Sequence, residues 1–209
     1  MKGFSIAGIG TDVGKTVLSA IIAEAIEGVY FKPVQAGDLD NSDSIKVKKW
    51  CSDKVEVLPE VYRLSEPMAP HAAAKIDNIK LSLKDIVIPQ TAKPLILEGA
   101  GGILVPLNEN NETMLDVYKK AKLPVILISR HYLGSINHTL MTFELLKSNG
   151  LKLAGIVYIG EENVETESII EKFTDLKKIG RVVLPAQIDS EFIQETAKSF
   201  KGLYYEFSR

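Results

Sequence analysis

FSIAGIGTDVGKTVLSAII, residues 4–22, passes from an apolar run through a glycine-rich loop into apolar residues at helical spacing. Phe4–Gly8 reads as a short buried strand, and the stretch after Gly14 reads as a helix that closes at Gly28. A loop that leaves a strand and opens a helix presents free backbone N–H groups and the positive end of the helix dipole, a setting that favours phosphate. Glycines let the backbone approach phosphoryl oxygens, Lys15 has the reach for β- and γ-phosphates, and the Thr16 hydroxyl is a ligand type for Mg²⁺. Gly10, Thr11, Asp12, Val13, Gly14, Lys15, Thr16 and Val17 are therefore the candidate nucleotide-binding set. The loop is a long variant: five residues separate Gly8 from Gly14-Lys15, and Ile9 stands at the usual glycine position.

Outward from this unit the same alternation recurs. Strands are expected at Val29–Val34, Pro94–Leu97, Pro124–Ser129 and Leu153–Ile159. Helices are expected near Ser42–Trp50, Met114–Lys120, Ile136–Ser148, Glu165–Asp175 and Ser190–Ser199. Runs such as PVILIS and LAGIVYI lack polar alternation, as strands covered on both faces do. The expected fold class is α/β, a single-domain, doubly wound, mostly parallel sheet over residues 1–209 with helices on both faces.

Composition narrows the partners. Twenty-five basic against 27 acidic side chains leave a net charge of −2, no field for nucleic acid or an anionic membrane. No apolar run reaches the ~20 residues that span a bilayer. Cys51 is the only cysteine, and the start MKGFSIAGIG has no secretory pattern, so a cytoplasmic protein acting on small molecules is expected.

In doubly wound sheets ligands bind beyond the carboxyl ends of the strands. Glu98 follows PLIL and precedes Gly99-Ala100-Gly101-Gly102, so its carboxylate is expected to face that crevice beside backbone that a ligand can approach. Mg²⁺ favours one or two carboxylates, which makes Glu98 and Asp43 candidates to join Thr16; on spacing alone Asp43 is equally a solvated residue of DLDNSDS. Lys32, before Pro33, reads equally as a surface lysine or as an ammonium for a transferring phosphoryl group. Pro70-His71 forms a rigid turn that reads as structural or as the edge of a substrate pocket. Lys46–Lys49 with Trp50 reads as a helix face with a packed aromatic.

Taken together, G-x₅-GKT, KPV with a glycine three further on, SD, EP-x-x-PH, EGAGG, VPL, LPVIL and LG-x-INH resemble the dethiobiotin synthetase family from residue 4 to about 157. The resemblance implies a P-loop NTPase-type enzyme that makes dethiobiotin from 7,8-diaminononanoate, CO₂ or bicarbonate, and ATP with Mg²⁺. It implies a homodimer whose substrate site lies at the subunit interface. It assigns Thr16, Asp43 and Glu98 to the metal, Lys15 and Lys32 to catalysis on phosphates and carbamate, and Glu98, Gly99, Ala100, Gly101 and Pro185 to the nucleotide. Lys32, Ala36, Pro70, His71, Gly101, Ser135, Ile136 and Asn137 are implied substrate contacts, with the helix start at Gly134–Asn137 receiving the substrate carboxylate from the neighbouring subunit. Departures from the pattern are Ala36 where Thr or Ser is frequent, Gly10 where aspartate is common, and Ile159 near an adenine-reading asparagine, which leaves base preference open. The alternatives are a partition- or septum-type ATPase switch, or a nucleotide-binding inactive paralogue. The switch is disfavoured because residues 9–13 supply no second loop lysine.

Overall fold

The computed structural model describes residues 2–203. Strand β1 (Gly3–Gly8) leads through the glycine loop into helix α1 (Lys15–Ala25) and back to β2 (Val29–Phe31). The expected strand Val29–Val34 is broken: Pro33 has no N–H to give to a ladder, and β3 (Val34–Ala36) pairs elsewhere. Then follow α2 (Asp43–Trp50), β4 (Glu56–Val57), β5 (Tyr62–Leu64) and α3 (Pro70–Ile76). The chain continues with β6 (Leu95–Gly102), α4 (Met114–Ala121), β7 (Val125–Arg130) and α5 (Ser135–Ser148). It ends with β8 (Leu153–Ile159), α6 (Val164–Thr174), β9 (Lys178–Val182) and α7 (Ser190–Phe200).

Seven strands form one sheet in the order β4-β2-β6-β1-β7-β8-β9, and every pair is parallel. β3 and β5 form a separate two-stranded parallel sheet. From β1 the chain first winds toward β2 and β4, then returns through β6 and continues toward β9. The direction of winding therefore reverses around β1, and the crevice for a ligand opens at that strand's carboxyl end.

Strand alternation supplies both faces of the sheet. Phe4, Ile6, Ile96, Ile126 and Ile128 pack with α1, α2 and α7, whereas Ala7, Leu95, Leu97, Val125 and Leu127 pack with α4, α5 and α6. Each face buries a core, which explains why the central strands read as continuous apolar runs.

β6 runs beyond the expected end at Leu97, so Glu98 lies within the strand rather than after it. Its pairing with β1 is irregular there: Ile6 faces Glu98, but Gly8 faces Gly102. This local widening sits at the crevice. No helix among the described residues is long and apolar enough to cross a membrane.

Candidate active site

The phosphate loop is fixed by its two ends. Gly14 caps α1 with φ 95°, a left-handed conformation that favours glycine, and no side chain caps the helix. The N–H groups at the helix start are thus left to a ligand. Val13 is buried, and a Cβ on Gly8 would lie 2.6 Å from its side chain, so Val13 plugs the loop onto β1. Ile159 is fully buried and lies 3.2 Å from where a Cβ on Gly14 would be. At the position where the family pattern suggests an adenine-reading asparagine, this chain has a packing residue under the loop.

Lys15 is buried, and its Nζ donates to the Gly10 carbonyl at 2.6 Å, curling back across the loop. Burial lowers its pKa to about 8, against the opposing pull of Glu98. A cavity of about 370 Å³ adjoins this lysine and is walled by Thr16, Lys32, Asp43, Glu98 and Gly101.

Glu98 is the hub of that cavity at 1% exposure. Its Oε1 accepts from the Thr16 hydroxyl at 3.0 Å, and its Oε2 accepts from the Tyr30 hydroxyl at 2.9 Å. Lys32 lies 3.5 Å from Glu98 Oε1 and also donates to Asp43 Oδ2. Asp43 opens α2, where Ser42 is the cap and accepts from the Ile45 N–H; the Asp43 N–H itself donates to Gln35. Burial would lower the Lys32 pKa, but Glu98 and Asp43 reverse that and hold it above the usual lysine value. Burial alone would raise Asp43, yet Lys32 holds it below the usual carboxylate range. The structure therefore joins Lys15, Thr16, Lys32, Asp43 and Glu98 from α1, the β2–β3 link, α2 and β6.

Gly99 and Gly101 serve close approach. A Cβ on Gly99 would sit 1.9 Å from the Tyr118 hydroxyl, and Gly101 has φ 65° on the cavity wall. Ala100 between them is half-buried. Lys46, Trp50 and Leu184 also wall the cavity and were not expected there. α2 presents Lys46 and Trp50 to the loop rather than to solvent alone, and Lys46 holds Asp38 at 2.8 Å. Pro185 is exposed and adjoins Leu184.

The remaining candidates lie apart from this cavity. Pro70 and His71 begin α3, and His71 lines a different cavity of about 350 Å³ with Lys75, Lys80 and Asn108. Ala36 ends β3, half-buried. Ser135, Ile136 and Asn137 open α5 behind Gly134, whose φ is 103° and which supplies no side-chain cap. They line a cavity of about 850 Å³. The Ser135 N–H is already given to the Tyr132 carbonyl at 2.9 Å, so any ligand at this helix start meets the N–H groups that follow it.

A family model described as an AAA domain matches residues 2–191. An ATP-dependent dethiobiotin synthetase of Christiangramia forsetii is 51% identical over 201 residues, covering 96% of each chain. That of Nitrobacter hamburgensis is 41% identical over 191 residues, covering 91% of this chain and 90% of its own. Among solved structures, a ParA family ATPase from Chlorobium tepidum has a TM-score of 0.59 at 12% identity, covering 99% of this chain and 98% of its own. A putative plasmid partition protein from Borrelia burgdorferi bound to AMPPNP has a TM-score of 0.61 at 11% identity, with 98% of each chain covered. At such identities the structural likeness speaks for the fold alone.

Proposed function

The chain belongs to the ATP-dependent dethiobiotin synthetase family, and from that membership we infer that the residues around Glu98 carry one ligation reaction. The protein is an ATP-dependent ligase of biotin biosynthesis, converting 7,8-diaminononanoate and CO₂ to dethiobiotin with ATP cleaved to ADP and phosphate. The observation that carries the residue assignment is the convergence on Glu98 of Thr16, Lys32 and, through Lys32, Asp43.

In this reaction one substrate amine gives its electron pair to CO₂ and loses a proton, forming a carbamate. A carbamate oxygen then attacks the γ-phosphorus of ATP and ADP leaves. The second amine attacks the carbamoyl carbon, phosphate leaves, and the ureido ring closes with loss of a proton. Two anions must meet in the middle step, so positive charge is the main requirement of the site.

The loop N–H groups of residues 10–17 hold the ATP phosphates, and Lys15 exchanges the Gly10 carbonyl for phosphoryl oxygens. The donor set of Thr16 hydroxyl, Asp43 and Glu98 fits Mg²⁺, which binds hard oxygens with one or two carboxylates and leaves positions for phosphates. When bound there, the ion supplies Lewis-acid stabilisation of charge on the phosphoryl oxygens. Lys32 neutralises the same two carboxylates in this structure; with their charge taken up by a bound divalent cation, its ammonium would be available to the carbamate and the transferring phosphoryl group. Gly99, Ala100, Gly101 and Pro185 border the nucleotide, while Ala36, Pro70, His71 and Gly101 border the diamine. The start of α5 on a partner subunit, through Ser135, Ile136 and Asn137, takes its carboxylate. The working unit is a single-domain cytoplasmic homodimer without nucleic-acid or membrane partners.

The test is phosphate release from ATP with Mg²⁺ and bicarbonate, with and without diaminononanoate, with the product weighed by mass spectrometry. Substrate-dependent release with a product heavier by CO less two hydrogens is expected, and Lys15→Ala should abolish it. Phosphate release that ignores the diamine, or undiminished turnover by the Lys15 variant, would reject the assignment.

A further inference from the structure

Arg130 is the last residue of β7, on the opposite side of β1 from Glu98, and is exposed. It is absent from the wall of the phosphate cavity and from the site described above. Its Nη1 donates to the backbone carbonyl of Asp12 at 2.9 Å, across 118 residues of sequence. Asp12 has φ 56°, a left-handed conformation that a residue with a Cβ adopts at a cost of roughly 1 kcal/mol. A charged donor from the neighbouring strand thus grips the carbonyl of the one residue of the loop segment 9–13 that has a left-handed φ.

The peptide that follows Asp12 is trans, so its C=O and N–H point in opposite directions. Holding the Asp12 carbonyl on the Arg130 guanidinium turns the Val13 N–H away from that side chain and fixes the plane of a peptide whose first residue, Asp12, walls the phosphate cavity. No β7 residue lines that cavity. We propose that Arg130 is a positioning residue that sets the phosphate loop for ATP before ATP arrives, acting through the Asp12–Val13 peptide. A preset donor spares the nucleotide the work of ordering the loop, and the gain appears as binding affinity.

The inference rests on the nucleotide reading of the loop, and the two fail differently: unchanged ATP affinity in Lys15→Ala would sink that reading itself. ATP binding with Mg²⁺ is measured by calorimetry for the full chain and for Arg130→Ala, Arg130→Lys and Arg130→Ala with Asp12→Gly. An exposed charge-assisted hydrogen bond implies a loss of about fivefold in ATP affinity for Arg130→Ala, recovered in part by the lysine, which keeps a cationic donor. The double variant should bind more tightly than Arg130→Ala, because glycine takes the left-handed conformation without help. The KM for diaminononanoate and the unfolding midpoint without nucleotide should stay unchanged in Arg130→Ala. ATP affinity within twofold of the parent in Arg130→Ala would overturn the proposal. So would a double variant as weak as Arg130→Ala, which points to direct contact with phosphate, or a matching drop in the unfolding midpoint, which points to stability alone.

Discussion

Two lysines of one cavity differ because their neighbours differ. Lys15 is buried with the Gly10 carbonyl as its hydrogen-bond partner among the described residues, and burial lowers its pKa to about 8. Lys32 is equally buried but rests on two carboxylates, which keep it protonated. An ammonium already neutralised by Asp43 and Glu98 adds little to ground-state ATP binding. Its charge counts when the carbamate oxygen and the γ-phosphoryl group approach each other. Lys32→Ala should therefore lower kcat by about 10²–10³ while the ATP dissociation constant moves by less than about threefold. Steady-state kinetics beside nucleotide calorimetry decide the point; a loss of affinity as large as the loss of rate would assign Lys32 to ground-state binding.

At the scale of elements, β6 meets α4 where Gly99 leaves no room for a Cβ beside the Tyr118 hydroxyl, which itself donates to the Ile6 carbonyl at 3.0 Å. Gly99→Ala should destabilise the protein by about 1–3 kcal/mol in urea unfolding, the usual cost of overpacking a core. Adding Tyr118→Phe should recover part of the loss, and no recovery would show that the clash lies elsewhere. On the other flank, Glu167 of α6 is buried and bonded to His131 at 2.9 Å and Lys178 at 2.8 Å, with Arg181 beside it. Burial alone would raise its pKa, but Arg181, Lys178 and His131 bring it to about 2. A carboxylate depressed on folding stabilises the native state above its unfolded value near 4.5 and loses that contribution as pH falls toward 2. Stability should drop by up to about 3 kcal/mol over that window, beyond the drop seen in Glu167→Gln. Equal acid profiles for the two proteins would mean that Glu167 gains nothing from its partners.

These same elements show what sequence could carry. β1, α1, α5 and β8 were legible because their apolar residues recur at a strand or helix period over whole elements. β9, KIGRV, was not, since an edge strand of mixed polarity has no such signal. β4, β5 and α3 are too short for periodicity, and Pro70 as the first helical residue reads as a turn until the helix behind it is seen. The phosphate loop and Glu98 could be found because local order, strand then loop then helix, already states their setting. Lys46, Trp50 and Leu184 could not, because they reach the cavity only where α2 and the segment after β9 come together beside the phosphate loop, and Tyr30 meets Glu98 only because β2 pairs with β6.

At the scale of the whole molecule, the face beside the phosphate loop exposes apolar side chains. Leu104 and Met141 are 59% and 62% exposed, and with Ile9, Val105 and Leu145 they line an apolar cavity of about 380 Å³. Ile9 belongs to the phosphate loop, so a second copy on this face would shield the flank of the reacting phosphates and bring its own α5 start near them. Sedimentation equilibrium should give a dimer, and Met141→Glu should weaken it by burying a charge at the contact. The sharper check uses two inactive variants. Lys15→Ala removes the phosphate lysine from one chain, and Asn137→Asp sets a carboxylate where the substrate's own carboxylate should dock in the other chain. If each site combines the loop of one subunit with the α5 start of its partner, a mixed dimer rebuilds one intact site of its two. Co-expressed heterodimers, separated by two different affinity tags, should then show about half the wild-type turnover, although either homodimer is nearly dead. Activity no higher than that of the parent variants would mean that each chain completes its own site, and the shared-site reading would fall.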